Sequence, residues 1–154
     1  MTAFPNDSVL TTAFDERLLR ERRKGLRIAI GAVLTLIPVI ALCGAVSGVP
    51  MVPRLAVATG LAALALACPW SGRWGGRAVA VLLMLQAAGM TSALEGSSMR
   101  VESEGIALLL LASLLVLRDE RAIATGLATT FSVHLLAAAF VPQLHYNVMP
   151  DVRD

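Results

Sequence analysis

The segment RLLRERRKGLR (residues 17–27) precedes IAIGAVLTLIPVIALCGAVSGVPMVP (residues 28–53), which contains no charged residue. A helix needs about 20 apolar residues to cross roughly 30 Å of hydrocarbon, so the second segment is long enough to span a bilayer. Six of the seven charges in the first segment are basic. Because short basic flanks stay in the cytoplasm, we predict an amino terminus inside the cell and a first helix that runs outward.

The composition of the whole chain is that of a membrane protein. Of its 154 residues, 56% are hydrophobic and 16% are charged, and the mean hydropathy is +0.73. A soluble domain has about 25% charged residues. The formal charge of +2 comes from basic residues beside predicted membrane ends, which topology explains without nucleic acid. We therefore predict an all-α bundle in the bacterial inner membrane. Its expected partners are lipid and either another integral membrane protein or a second copy of the chain.

The chain divides into two tails and five predicted spans. The spans are residues 26–46, 54–70, 77–94, 101–117 and 122–141, between a cytoplasmic tail of residues 1–25 and an external tail of residues 142–154. Residues 15–25 either form an interfacial helix or serve only as a topology signal. The expected anchors at the inner membrane interface are Arg22, Arg23, Lys24, Trp70, Trp74 and Arg77.

The fourth span is the least regular of the five. Its charge-free part is residues 105–117, which as a helix would cover only about 20 Å. Either the span begins near Met99 and takes Arg100, Glu102 and Glu104 into the membrane domain, or the segment is a re-entrant half-span.

Small and polar residues recur at helical spacing in two of the spans. In the second span they are Ala56, Gly60, Ala63 and Ala67. Such a stripe lets helix backbones approach closely, so we predict that this helix lies inside the bundle or at a subunit contact. In the fifth span Gly126, Thr130 and His134 repeat every fourth residue and should face protein. In the third span Gln86 needs a partner, and we predict an interhelical hydrogen bond.

An ionisable group inside a span costs about 2.5 to 3.5 kcal/mol on insertion scales, which makes His134 a candidate functional residue. The fourth span starts on the same side of the membrane and supplies Arg100, Glu102 and Glu104. Arg100 and Glu104 lie four residues apart and can pair, which leaves a carboxylate for His134. Three interpretations stay open: a pocket that senses protons or a ligand, plain interhelical hydrogen bonds, and a metal site.

The metal interpretation needs additional ligands. Zinc sites use three or four, so His134 and Glu102 would have to be joined by His145 or Glu95. We predict no other cofactor.

A resemblance to a known family is carried by the second half of the chain. Glu102 and Glu104 are followed by a leucine-rich span, by an Arg118-Asp119 turn and by a helix with Val133-His134-Leu135. This order resembles the multi-helix membrane input module found ahead of bacterial chemoreceptor, histidine kinase and diguanylate cyclase domains. Glu102 and His134 match residues of its motifs, whereas residues 104–106 are Glu, Gly and Ile where the module has histidines. The resemblance covers residues 95–149 and implies a sensory bundle.

The sequence contains no pair of nucleophile and base, no nucleotide-binding loop and no zinc motif, so we do not expect an enzyme. The leading expectation is a sensory or regulatory membrane module that acts on a partner protein. The alternative is a non-catalytic accessory or structural subunit of a larger membrane complex, which the small size and the alanine-rich second span favour. A small transporter is a third possibility, but no inverted repeat is detectable.

Overall fold

The computed structural model describes residues 7–48, 50–67, 74–94 and 100–140. Within these ranges the chain forms five α-helices and no strand, so the all-α class is confirmed there. The helices are α1 (Asp7–Ser47), α2 (Met51–Ala67), α3 (Gly75–Ala93), α4 (Arg100–Ser113) and α5 (Glu120–Phe140). A short 3-10 turn, Leu114–Leu117, extends α4.

Three stretches of helix are long and apolar enough to cross a membrane: Glu16–Ser47, Gly75–Ala93 and Glu120–Phe140. This finding agrees with the predicted membrane class. α2 is apolar but has 17 residues. α4 has 14 residues, to which the 3-10 turn adds 4. The number of crossings and the side on which each terminus lies therefore stay predictions.

The basic segment and the first apolar run form one continuous helix, α1, of 41 residues. It begins at Asp7 and so includes most of the segment predicted as a cytoplasmic tail. Leu, Arg, Glu and Lys, all good helix formers, fill residues 16–24. The helix therefore continues from the basic segment into the apolar run.

α3 is the central helix of the bundle and packs against the other four. Leu83 and Met90 of α3 are completely buried, as are Val33 of α1 and Leu114 of the 3-10 turn. α5 packs mainly on α3, and α4 and α5 scarcely touch each other. This arrangement leaves room between α4 and α5.

The contacts also define two ends of an antiparallel bundle. At one end Gly25 of α1 packs against the 3-10 turn, and Gly76 of α3 lies near Asp119. At the other end Arg54 of α2 reaches the backbone of Ser92 in α3. The first end, which we call the basic end, carries Arg22, Arg23, Lys24, Arg27, Arg77, Arg118 and Arg121. The opposite end carries Arg54 and the start of α4 at Arg100.

α2 packs through small residues other than the predicted ones. Ala58, Ala62 and Ala65 are buried. The predicted set, Ala56, Gly60, Ala63 and Ala67, is exposed and is called the outward stripe below. A Cβ built on Gly60 would have nothing within 4 Å. The structure thus corrects the expectation that the stripe lies inside the bundle of one chain. Both sets have helical spacing, so spacing alone cannot identify the inner face. The subunit contact stays a prediction.

Candidate functional site

A cavity of about 360 Å³ lies between α3, α4 and α5. We call it the α4–α5 groove. Its lining residues are Met84, Ala87, Ala88 and Thr91 of α3, Glu104, Ala107, Leu108 and Leu111 of α4, and Thr130, Phe131, Val133 and His134 of α5. Leu108 and Phe131 are 64% and 72% exposed, so the groove is open to the outside of the bundle.

Gly126 lies where α5 packs closely against Leu111 of α4 and Leu114 of the 3-10 turn. A Cβ on Gly126 would overlap Cδ1 of Leu114 and lie 3.5 Å from Cδ1 of Leu111 and 3.7 Å from Cγ of Met84. Beyond this contact α4 and α5 scarcely touch each other. The groove is therefore a separation of two helices that pack together at Gly126. Of the three residues predicted to face protein, Gly126 is buried, Thr130 is half-buried and His134 is exposed, so the prediction is wrong for His134.

His134 makes one hydrogen bond among the described residues. Its Nδ1 lies 2.9 Å from the backbone oxygen of Thr130, and the Thr130 hydroxyl donates to the backbone oxygen of Gly126 at 3.0 Å. Because a carbonyl oxygen can only accept, Nδ1 of His134 must carry the hydrogen. Nε2 is then an acceptor when the imidazole is neutral and a donor when it is charged.

Among the described residues, Glu104 is the one carboxylate that lines the groove. It lies about 6 Å along α4 from Arg100, and His134 lies about 9 Å along α5 from Phe140, at 1.5 Å per residue. Both groups therefore lie toward the end of the bundle opposite the basic end. No hydrogen bond or ion pair joins their side chains, which belong to the described part of the chain.

The structure brings together some of the predicted pocket residues and separates others. His134, Thr130 and Glu104 share the groove. Glu102 is exposed and does not line the groove, and Gln86 lies on a different cavity between α1, α2 and α3. The side chain of Arg100 is not among those described, so its pair with Glu104 stays a prediction.

Gln86 makes an interhelical hydrogen bond of the kind its position predicts. Its Nε2 donates to the backbone oxygen of Ala58 in α2 at 2.9 Å. The side chain is 1% exposed.

No metal site is found in the described ranges. They contain no group of three or more His, Cys, Asp or Glu side chains that could hold an ion. His145, Glu95 and the external tail lie outside those ranges, so the metal hypothesis that needs His145 or Glu95 stays untested.

The predicted interface anchors that the structure describes lie on the basic end. Arg22, Arg23 and Lys24 are exposed. The guanidinium of Arg77 lies 4.5 Å from the ring centroid of Trp74, a cation–π contact. Trp70 lies outside the described residues.

Sequence reasoning missed the contribution of α3 to the groove. Thr91, whose hydroxyl donates to the backbone oxygen of Ala87 at 3.2 Å, lines it with Met84 and Ala88. The spacing of Met84, Ala88 and Thr91, four and then three residues, is the signal that could have identified a second face of α3.

Function has to be argued from these residues, because function belongs to a site rather than to a fold. Comparison of the chain with protein-family models, with curated proteins and with solved structures gave no match.

Proposed function

We propose that this chain is a small sensory or regulatory module of the bacterial inner membrane, without catalytic activity, that acts on a partner protein. The observation that carries the proposal is the α4–α5 groove, in which Glu104 and His134 belong to two helices that separate beyond Gly126. The resemblance of residues 95–149 to bacterial membrane input modules points to the same class of function.

The proposal includes five crossings, with the amino terminus inside and the carboxyl terminus outside. The charge difference between the two ends of the bundle supports it, since arginine and lysine are retained on the cytoplasmic side. α2 has 17 residues and would cover about 26 Å. It runs antiparallel to α3, with Arg54 beside Ser92, as expected for a helix that returns across the membrane.

The groove would work as a proton-dependent switch. Glu104 and His134 are the two ionisable residues among the described residues that line it. In neutral His134, Nε2 is an acceptor and offers nothing to a carboxylate. In charged His134, Nε2 donates and can bind Glu104 across the groove, directly or through water. Because α5 is held at Gly126, this attraction would draw α4 and α5 together at the open end of the groove.

Spin labels on the two helices test this switch. The labels are attached to cysteines that replace Ile106 and Leu136, which are exposed on α4 and α5. The full chain also carries Cys43→Ser and Cys68→Ser, so that no other cysteine is labelled, and it is reconstituted in nanodiscs. We expect the distance between labels, measured by double electron–electron resonance, to be shorter at about pH 5 than at about pH 8.

Two carboxylate variants identify the group that responds. Glu104→Gln should abolish the change in distance, since an amide carries no charge. Glu102→Gln is the matched control, because Glu102 lies on the same helix but not on the groove, and it should retain the change. Identical distances at both pH values in the unsubstituted groove, or a change that survives Glu104→Gln, would contradict the switch.

An accessory subunit of a larger membrane complex is the second candidate, and the outward stripe of α2 favours it. Small exposed residues on a membrane helix suit close contact with another helix. Purification in mild detergent, followed by mass spectrometry of the proteins that co-purify, distinguishes a regulatory module from an accessory subunit. A regulatory module should keep its partner in Gly60→Leu and change its association in His134→Leu, whereas an accessory subunit should show the reverse.

A further inference from the structure

In the described part of the chain, the polar side chains that line the α4–α5 groove have acceptors to offer but no free N–H or O–H group. The hydroxyls of Thr91 and Thr130 and Nδ1 of His134 each donate to the backbone oxygen four residues earlier in the same helix. What remains is the lone pairs of the two hydroxyl oxygens and of Nε2 in a neutral imidazole. The ionised carboxylate of Glu104 is also an acceptor only. A ligand that brings hydrogen-bond donors would therefore find partners in the groove.

Three of these acceptors lie at one level of the groove. They belong to Thr91, Glu104 and His134, one from each helix, and we call them the acceptor collar. At Gly126, α5 packs on Met84 of α3 and Leu111 of α4. In each helix the collar residue lies seven or eight residues from this contact, toward the end opposite the basic end. This separation is about 10 to 12 Å along all three helices, so the collar residues surround the same part of the groove.

Between the Gly126 contact and the acceptor collar, the wall of the groove is mainly apolar. The apolar residues at these levels are Ala87, Ala88, Ala107, Leu108, Phe131 and Val133. A cavity of about 360 Å³ with an apolar wall and a few convergent polar groups is typical of a small-molecule site. The groove thus has an apolar part near Gly126 and a polar part near the end of the bundle, which is the arrangement that suits an amphiphile.

We propose that the α4–α5 groove binds a single-chain primary amine, with the ammonium in the acceptor collar and the hydrocarbon chain directed toward Gly126. The inference rests on the proposed function, because it names the ligand class of the same groove. An alkylammonium has three N–H donors and no acceptor, which complements the collar, and its bond to Glu104 is charge-assisted. Since a carboxylate has about four lone-pair sites, a pair with Arg100 leaves acceptors for the ligand. A phospholipid head group suits the collar less well, because its phosphate oxygens are acceptors too.

Three probes with the same decyl chain test the assignment on the full chain in nanodiscs of phosphatidylcholine. Decylamine carries a charge and N–H donors, decyltrimethylammonium carries the charge without a donor, and decan-1-ol carries a donor without the charge. Binding is measured at about pH 8, at which an ordinary histidine is neutral, and binding to empty nanodiscs is subtracted. We expect decylamine to bind about tenfold more tightly than either of the other probes, because it alone makes charge-assisted hydrogen bonds to the collar.

Variants assign the contacts of the ammonium. Glu104→Gln should weaken the binding of decylamine by about tenfold or more, since the charged acceptor is lost. His134→Phe keeps a ring but removes Nε2, and should weaken it by about threefold to tenfold. Glu102→Gln is the matched control, because Glu102 is exposed on the same helix and does not line the groove, and it should leave the affinity unchanged. Dissociation constants from equilibrium binding of the radiolabelled probes provide the measurement.

Three results would overturn the proposal. One is equal affinity of the unsubstituted protein for decylamine and decyltrimethylammonium, and another is unchanged affinity for decylamine in Glu104→Gln. The third is loss of decylamine binding when phosphatidylethanolamine replaces phosphatidylcholine, since the groove would then be a phospholipid head-group site. These measurements use one pH and no spin label, so they are independent of the switch. Helices that close on acidification without a preference for the amine would refute the ligand alone, and an amine that binds between helices that never close would refute the switch alone.

Discussion

At the scale of single residues, Gly25 controls how α1 meets the 3-10 turn. A Cβ at Gly25 would overlap the backbone oxygen of Val116 and lie 3.2 Å from Cα of Leu117. Because these are backbone atoms, they cannot rotate out of the way. We expect Gly25→Ala to lower the free energy of unfolding in detergent by about 1 to 3 kcal/mol, as overpacking does.

Gly31→Ala is the matched control for this prediction. Gly31 lies in the same helix, and a Cβ there would have nothing within 4 Å. Alanine is the better helix former, so this variant should be unchanged or more stable by about 0.5 to 1 kcal/mol. Equal losses in the two variants, measured by titration with sodium dodecyl sulfate, would show that Gly25 is not held against the turn.

Some residue roles can be predicted from sequence, and the reason is local. Gln86 is a polar residue in an apolar run, so its need for a partner follows from its own chemistry. Gly126 recurs in register with Thr130 and His134. Gly25 has no such signal, because the atoms that require a glycine there belong to Val116 and Leu117, which are distant in the sequence.

At the scale of elements, α2 tests whether the inner and outer faces are assigned correctly. Ala62 is 3% exposed and its neighbour Ala63 is exposed. The same substitution at the two sites should therefore give different results. We expect Ala62→Leu to destabilise the monomer by about 1 to 3 kcal/mol, because the larger side chain does not fit between α2 and its neighbours. Ala63→Leu should leave the unfolding of the monomer within about 0.5 kcal/mol of the unsubstituted chain.

The same pair of variants also reports on association. If the outward stripe is a subunit contact, Ala63→Leu should reduce the oligomeric state seen by light scattering of the detergent complex without lowering the stability of the monomer. A loss of monomer stability from Ala63→Leu that equals the loss from Ala62→Leu would reverse the assignment of the two faces.

The limits of sequence reasoning are clearest in α4 and α2. The charge-free run in the fourth segment starts at Gly105, yet α4 starts at Arg100, so Glu102 and Glu104 belong to the helix. Whether this helix crosses the membrane fully or is a re-entrant half-span stays a prediction. In α2 almost every residue is small or apolar, so two faces have equally suitable spacing. Packing against α1 and α3 then decides between them.

At the scale of the whole molecule, composition and charge predict a helical membrane bundle but not its internal arrangement. Hydropathy identifies apolar runs without saying which run lies in the centre. α3 lies between the other four helices because the faces of helices that are distant in the sequence pack against it. The α4–α5 groove is likewise a property of the assembly, since it depends on α5 meeting the α4 segment at Gly126 and separating beyond it.

The orientation of the bundle gives the account its central claim: five crossings, with the basic end in the cytoplasm. Labelling of single cysteines with a membrane-impermeant maleimide on intact cells tests it most directly. Two conservative sites are Ser71→Cys, between α2 and α3, and Ser98→Cys, between α3 and α4, each in a chain with Cys43→Ser and Cys68→Ser. If α2 did not cross, the two connections would exchange sides. We expect labelling of Ser98→Cys in intact cells and of Ser71→Cys only after the membrane is permeabilised. Labelling of Ser71→Cys in intact cells with protection of Ser98→Cys would contradict the account.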